Sequence, residues 1–118
     1  MLNFRDFEAG PDPFDRKFHV LLKWMQTAIS IRHADTVDVK FVVWTEGEEK
    51  QEKIIALSHP MLLALAAKTG HALTDAWCLK LAGRHLAHMI TSGEDLEKTL
   101  VTVSSADLES AAAVAQPV

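Results

Sequence analysis

The stretch from Thr74 to Gly93, TDAWCLKLAGRHLAHMITSG, constrains the fold more than any other part of the chain. It has the longest clean helical period. With Trp77 set at zero and ~100° added per residue, Cys78, Ala82, Met89, Leu86, Leu79 and Ile90 share one arc from ~100° to ~220°. Lys80, Arg84 and Thr91 fall opposite. A broad apolar arc with one wet stripe is the pattern of a helix laid against a core. Thr74 or Asp75 is expected to cap its start, because the side-chain oxygen can accept from a free N–H of the first turn. Gly93 is expected to close it, since glycine takes positive φ without a Cβ clash. Gly83 in mid-helix costs ~1 kcal/mol relative to alanine and is expected to let a neighbouring element come close.

The same helix carries two of the six histidines. His85 falls at ~80°, on the edge of the apolar arc, and His88 at ~20°, beside Trp77. Histidines three apart are surface neighbours and can share one metal ion. No third ligand is identifiable, and the HExxH arrangement that places a general base between ligands is missing. The pair is therefore read as ordinary core-edge histidines. No metal or other cofactor is expected, with His85 and His88 as the candidates if a metal binds. Cys78 is the only cysteine. It can act as a nucleophile only if a base or positive surroundings lower its pKa. On the apolar arc it reads as a small core residue.

The rest of the chain divides around this helix. Residues 1–16 hold Gly10, Pro11, Pro13 and three phenylalanines, Phe4, Phe7 and Phe14, and are read as an N-terminal arm packed on the body. Residues 17–57 are read as an antiparallel meander. Within them 17–27 fit a helix wheel or a strand. The strand face Phe18, Val20, Leu22, Trp24 changes parity at Met25, so a strand here needs a β-bulge. The long bulged strand is preferred, because a helix would run into ISIR with no Gly or Pro between. Val37, Val39, Phe41 and Val43 alternate with Asp38 and Lys40 as a half-buried strand does. A second strand, Lys53 to Leu57, returns after the acidic turn 46–49, which lacks the spaced oxygen ligands of a calcium loop. Val42, Trp44 and Ile55 lie off the main apolar parity, so the second sheet face is expected to be covered by a helix or another subunit. Residues 58–93 are read as a helical pair, opened by Ser58 as cap and Pro60 in the first turn. Residues 94–118 are read as a short strand, 99–103, and a last helix with a capping box at Ser104. The fold class is α+β: a meander of three to four strands packed on a central apolar helix and one or two further helices, in a single domain over 1–118.

Several functions are disfavoured by composition. The net charge is −4 with no Lys/Arg cluster, so nucleic acid is not an expected partner. No apolar run reaches the length of a membrane span, and no membrane partner is expected. A lone cysteine and an N-terminus without an apolar signal core fit a cytoplasmic location. There is no glycine-rich phosphate loop, no GxSxG elbow and no paired-cysteine zinc pattern.

Two functional readings follow. The first is a non-enzymatic interaction or scaffold protein that forms a homodimer, with Trp44 as interface anchor or the sheet edge as contact. The second is a binder of a small molecule, or an enzyme, with a pocket between the sheet and helix 75–91 and with Trp77, Arg84, His85 and His88 at its mouth. Arg32, His33 and Asp35 gather a cation, an imidazole and a carboxylate at a hairpin, a cluster able to bind an anion. A polar hairpin tip accounts for it as well and is the preferred reading.

Overall fold

The computed structural model describes residues 5–28, 36–70, 73–93 and 99–115. The elements, in chain order, are β1 (Asp6–Ala9), β2 (Phe18–Ala28), β3 (Thr36–Trp44), β4 (Gln51–Ser58), α1 (His59–Thr69), α2 (Asp75–Ser92), β5 (Leu100–Thr102) and α3 (Ser105–Ala115). The strands form one sheet in the order β1-β2-β3-β4-β5. The first four make an antiparallel meander, and β5 joins β4 in parallel. A parallel neighbour needs a crossover, and α1 with α2 supplies it. The α+β meander expected from sequence is present, with one strand more. Asp6–Ala9, expected as part of an arm packed on the body, is the edge strand β1, paired Phe7↔Val20 and Ala9↔Phe18. Phe7 and Ala9 are buried, while Phe14 is 77% exposed. Alternating DFEA over so short a length gives too little periodicity to read as a strand.

Strand parity sets the core. Val37, Val39, Phe41 and Val43 of β3 point to one face and are buried. They pack in one cluster with Val20, Ile55, Leu57, Val101 and Val103, and with Leu62 of α1, Leu81 and Leu86 of α2, and Leu108 of α3. All three helices therefore add apolar side chains to one cluster on this side of the sheet, α1 and α2 against the strands and α3 chiefly against α2. Phe7 meets Phe41 edge-on, with centroids 6.3 Å apart and planes at 89°.

Two register features redirect side chains. The pairing of β2 with β3 slips between Leu22 and Trp24, where Leu22 faces Phe41 and Trp24 faces Lys40. This is the bulge expected from the parity change. It acts one step earlier than the apolar pattern suggests, so Trp24 leaves the face of Val20 and Met25 returns to it, opposite Val39. In the β3–β4 hairpin the partners are Val39↔Ile55 and Phe41↔Lys53. Ile55 thus belongs to the core, not to the second face, and Ile54 takes the second face. The hairpin register depends on the turn at 45–50, which strand periodicity does not contain.

The helix ends follow their sequence signals with one exception. Thr74 Oγ1 accepts from Trp77 N at 3.2 Å, and Gly93 closes α2 at φ 78° with its N–H donating to Met89 O at 2.8 Å. Ser104 Oγ accepts from Asp107 N at 3.2 Å at the head of α3. Ser58 makes no side-chain cap. It ends β4, and Pro60 in the first turn of α1 removes one free N–H in its place. No helix among the described residues is long and apolar enough to cross a membrane.

Candidate functional site

The sequence candidates on α2 do not all follow their wheel positions: Trp77 is buried although His88, its neighbour on the wheel, is exposed. Trp77 and His85 are buried at 6% exposure each, Arg84 is half-buried and His88 is exposed. Arg84, His85, Ala87, His88 and Thr91 form one wall of a cleft of about 370 Å³, and Asp107, Ser110 and Ala111 of α3 form the other. The cleft lies between α2 and α3, away from the sheet, and Trp77 is not in its lining. The imidazoles of His85 and His88 are 6.5 Å apart between centroids and tilted by 38°. A guanidinium, two imidazoles, a carboxylate and hydroxyls around this volume can hold a small polar molecule. Among the described residues, no three His, Cys, Asp or Glu side chains come together in a set able to hold a metal ion. Arg32, His33 and Asp35 lie outside the described residues.

Cys78 is buried beneath the first turns of α2. Burial, reinforced by the Asp75 carboxylate, pushes its thiol up to about 11. At neutral pH it is a protonated thiol, the opposite of what a nucleophile needs.

Trp44 lies on the sheet face opposite the helices, in a more open setting. Its register partner is His19, and the next pairs on that face are Leu21↔Val42 and Glu52↔Val42. One row further on stand Trp24, Lys40, Ile54 and Leu100, one from each of β2 to β5. Leu21 is 42% exposed and Leu100 57%, and Trp24, Val42, Trp44 and Ile54 are half-buried. Lys40 pairs with Glu52 and holds its ammonium 5.5 Å from the Trp24 ring centre. Lys50 sits 4.8 Å from that of Trp44. The face is thus an apolar band edged by charges of both signs.

A second opening lies between the sheet and the far end of α2, the layer in which a pocket is expected from the sequence, but with other residues around it. Phe18, Val43, Gln51 and Lys53 from the sheet, Leu86 and Ile90 from α2, and the β1–β2 loop enclose about 510 Å³. None of Trp77, Arg84, His85 or His88 reaches it. The β1–β2 loop is held in shape by Asp12, whose carboxylate is buried. Asp12 Oδ1 accepts from the N–H groups of Phe14 at 3.0 Å and Arg16 at 2.8 Å, and Oδ2 accepts from Arg16 Nε at 2.9 Å. Burial alone would raise its pKa, but these hydrogen bonds and the Arg16 charge outweigh it and hold the carboxyl below the usual value.

Lys53 was legible in principle. It shares parity with Ile55 and Leu57, so a strand over Lys53–Leu57 with a buried Leu57 already puts Lys53 on the core side. Trp24 was not, because its face depends on where the bulge falls. Comparison with known proteins finds no matching family model, no matching curated protein and no matching solved structure.

Proposed function

We propose that this chain is a non-enzymatic interaction protein that pairs with a second copy of itself through the open face of its sheet. One observation carries the reading: Leu21, Trp24, Val42, Ile54 and Leu100 run as an apolar band across β2 to β5 on the face turned away from the helices. Exposed apolar bands rimmed by polar groups are characteristic of association surfaces. Two sheet faces pack about 10 Å apart with interdigitating side chains. Both charge signs border the band, Lys40 and Lys50 beside Glu8 and Glu52. A two-fold axis can therefore set a cation of one copy against an acid of the other. The sheet edges are poorer candidates. β1 and β5 are 4 and 3 residues long, and short edge strands disfavour strand addition.

Sedimentation velocity over a concentration series tests this, with wild type beside Leu21→Glu and Leu100→Glu. Both positions are exposed, so an unchanged thermal midpoint is expected in each variant. The expected result is a wild-type dimer, with self-association weakened about tenfold or more in the variants. A wild type that stays monomeric at every concentration overturns the proposal. So do variants that dimerise like wild type.

A further inference from the structure

His19 stands at the corner of the open face where three strands meet. In register it lies between Glu8 of β1 and Trp44 of β3. Its imidazole is stacked 5.4 Å from the Trp44 ring centre, and its Nδ1 is 3.8 Å from Glu8 Oε1. The next row on the same face is Leu21↔Val42, where the apolar band begins. The His19 side chain is 47% exposed, so it meets protons freely and has surface left for a second copy to cover. Lys50 is 4.8 Å from the ring centre of the same indole, and Arg16, Lys17 and Glu46 line the opening beside the imidazole. Arg16 is neutralised by Asp12, 2.9 Å away. That leaves Glu8 and Glu46 against Lys17 and Lys50, a balanced set that one proton on the imidazole tips to net positive. Imidazole is the side chain whose charge ordinarily changes between about pH 5 and 8.

We propose that mild acid separates the paired copies, with His19 as the group that takes up the proton. The inference rests on pairing through the open face of the sheet. A neutral imidazole laid on an indole can be covered by the apolar groups of a second copy at little cost. An imidazolium in the same place loses more hydration when it is covered, because burial penalises the charged form. Glu8 offsets little of that loss, since its carboxylate is 64% exposed and stands 3.8 Å away. The proton also draws Glu8 toward its own copy, and so removes an acid that a lysine across the two-fold axis can use. Both effects favour separate copies. The monomer therefore binds the proton better than the dimer does, and the dimer weakens as pH falls.

The test is sedimentation velocity of the full chain at pH 7.5 and pH 5.5, an interval over which ordinary carboxylates and lysines keep their charge. Wild type is run beside His19→Gln and His19→Phe. Glutamine keeps a polar side chain without the titration, and phenylalanine keeps a ring for the Trp44 stack. A thermal midpoint at each pH identifies the folded variants, and either one suffices. Wild-type self-association is expected to weaken about fivefold or more on going to pH 5.5, and that of the variants to stay level. Equal wild-type association at the two pH values overturns the switch and leaves the pairing standing. A pH dependence as large in the folded variants as in wild type overturns the role of His19. A chain that is monomeric at both pH values overturns the pairing itself, and the switch with it.

Discussion

The imidazole of His19 lies against the indole of Trp44, with ring centroids 5.4 Å apart and planes 23° from parallel. The two are direct cross-strand partners at the end of the open face. His19 Nδ1 is also 3.8 Å from Glu8 Oε1, which links β1 to the same corner. Aromatic cross-strand contacts contribute to sheet stability beyond their buried area. Trp44→Ala is therefore expected to lower stability by about 1–2 kcal/mol, read as a shift in urea midpoint with unchanged slope. His19→Ala should cost less, since the indole keeps its contact with the Lys50 ammonium.

The ends of α2 should respond unequally to alanine. Thr74→Ala removes one cap hydrogen bond and is expected to cost about 1 kcal/mol. Gly93→Ala meets two obstacles. The residue has φ 78°, and a Cβ there would stand 3.0 Å from Pro13 Cγ. Its expected cost is about 1–2 kcal/mol, larger than that of the cap. Thermal unfolding of the two variants ranks them, and a smaller loss for Gly93→Ala would show that the Pro13 loop moves aside freely.

Asp12 gives the protein an acid limb. A carboxyl whose folded pKa lies below its unfolded value of about 3.8 stabilises the fold above that value and loses its contribution as pH falls through the folded pKa. Asp12→Asn keeps the shape and removes the titration. The variant is expected to be less stable than wild type at pH 7 and nearer to it at pH values below that carboxylate range. Unfolding midpoints collected across that range measure the convergence.

Cys78 titrates in the opposite sense. Its folded pKa, about 11, lies above the ordinary thiol value of 9.0. The protonated form is favoured by folding, so its contribution is complete below 9.0 and is lost as pH rises through that interval. Iodoacetamide should leave the native thiol unmodified at pH 8 and label it once urea unfolds the chain. Labelling of the native protein at the rate of a free thiol would contradict the buried placement.

Much of the architecture was legible because its periods are long. The eighteen residues of α2 give repeated turns of apolar signal, and its caps Thr74 and Gly93 bracket it. The alternation of β3 names its buried row directly. What was hidden depends on register. The bulge at Leu22/Trp24 and the hairpin pairing Val39↔Ile55 decide which tryptophan and which isoleucine face outward. The candidate site was legible in part. Arg84, His85 and His88 share a cleft, as their spacing on α2 requires, but α3 supplies the opposite wall. No pattern within α2 identifies which element will pack beside it. Lys53 ends the polar run 46–53, so it reads as a solvated position unless strand parity is carried through it.

The parallel strand has a consequence for the order of assembly. β1 to β4 are contiguous in the chain, so the meander can form from local pairings once Ser58 has left the ribosome. Leu100–Thr102 arrives only after both α1 and α2. Until then the backbone of β4 offers an open edge, the feature that recruits strands from other molecules. During synthesis this interval leaves the β4 edge open to misassembly, and it ends when three residues of β5 settle against Ile54, Ile55 and Ala56.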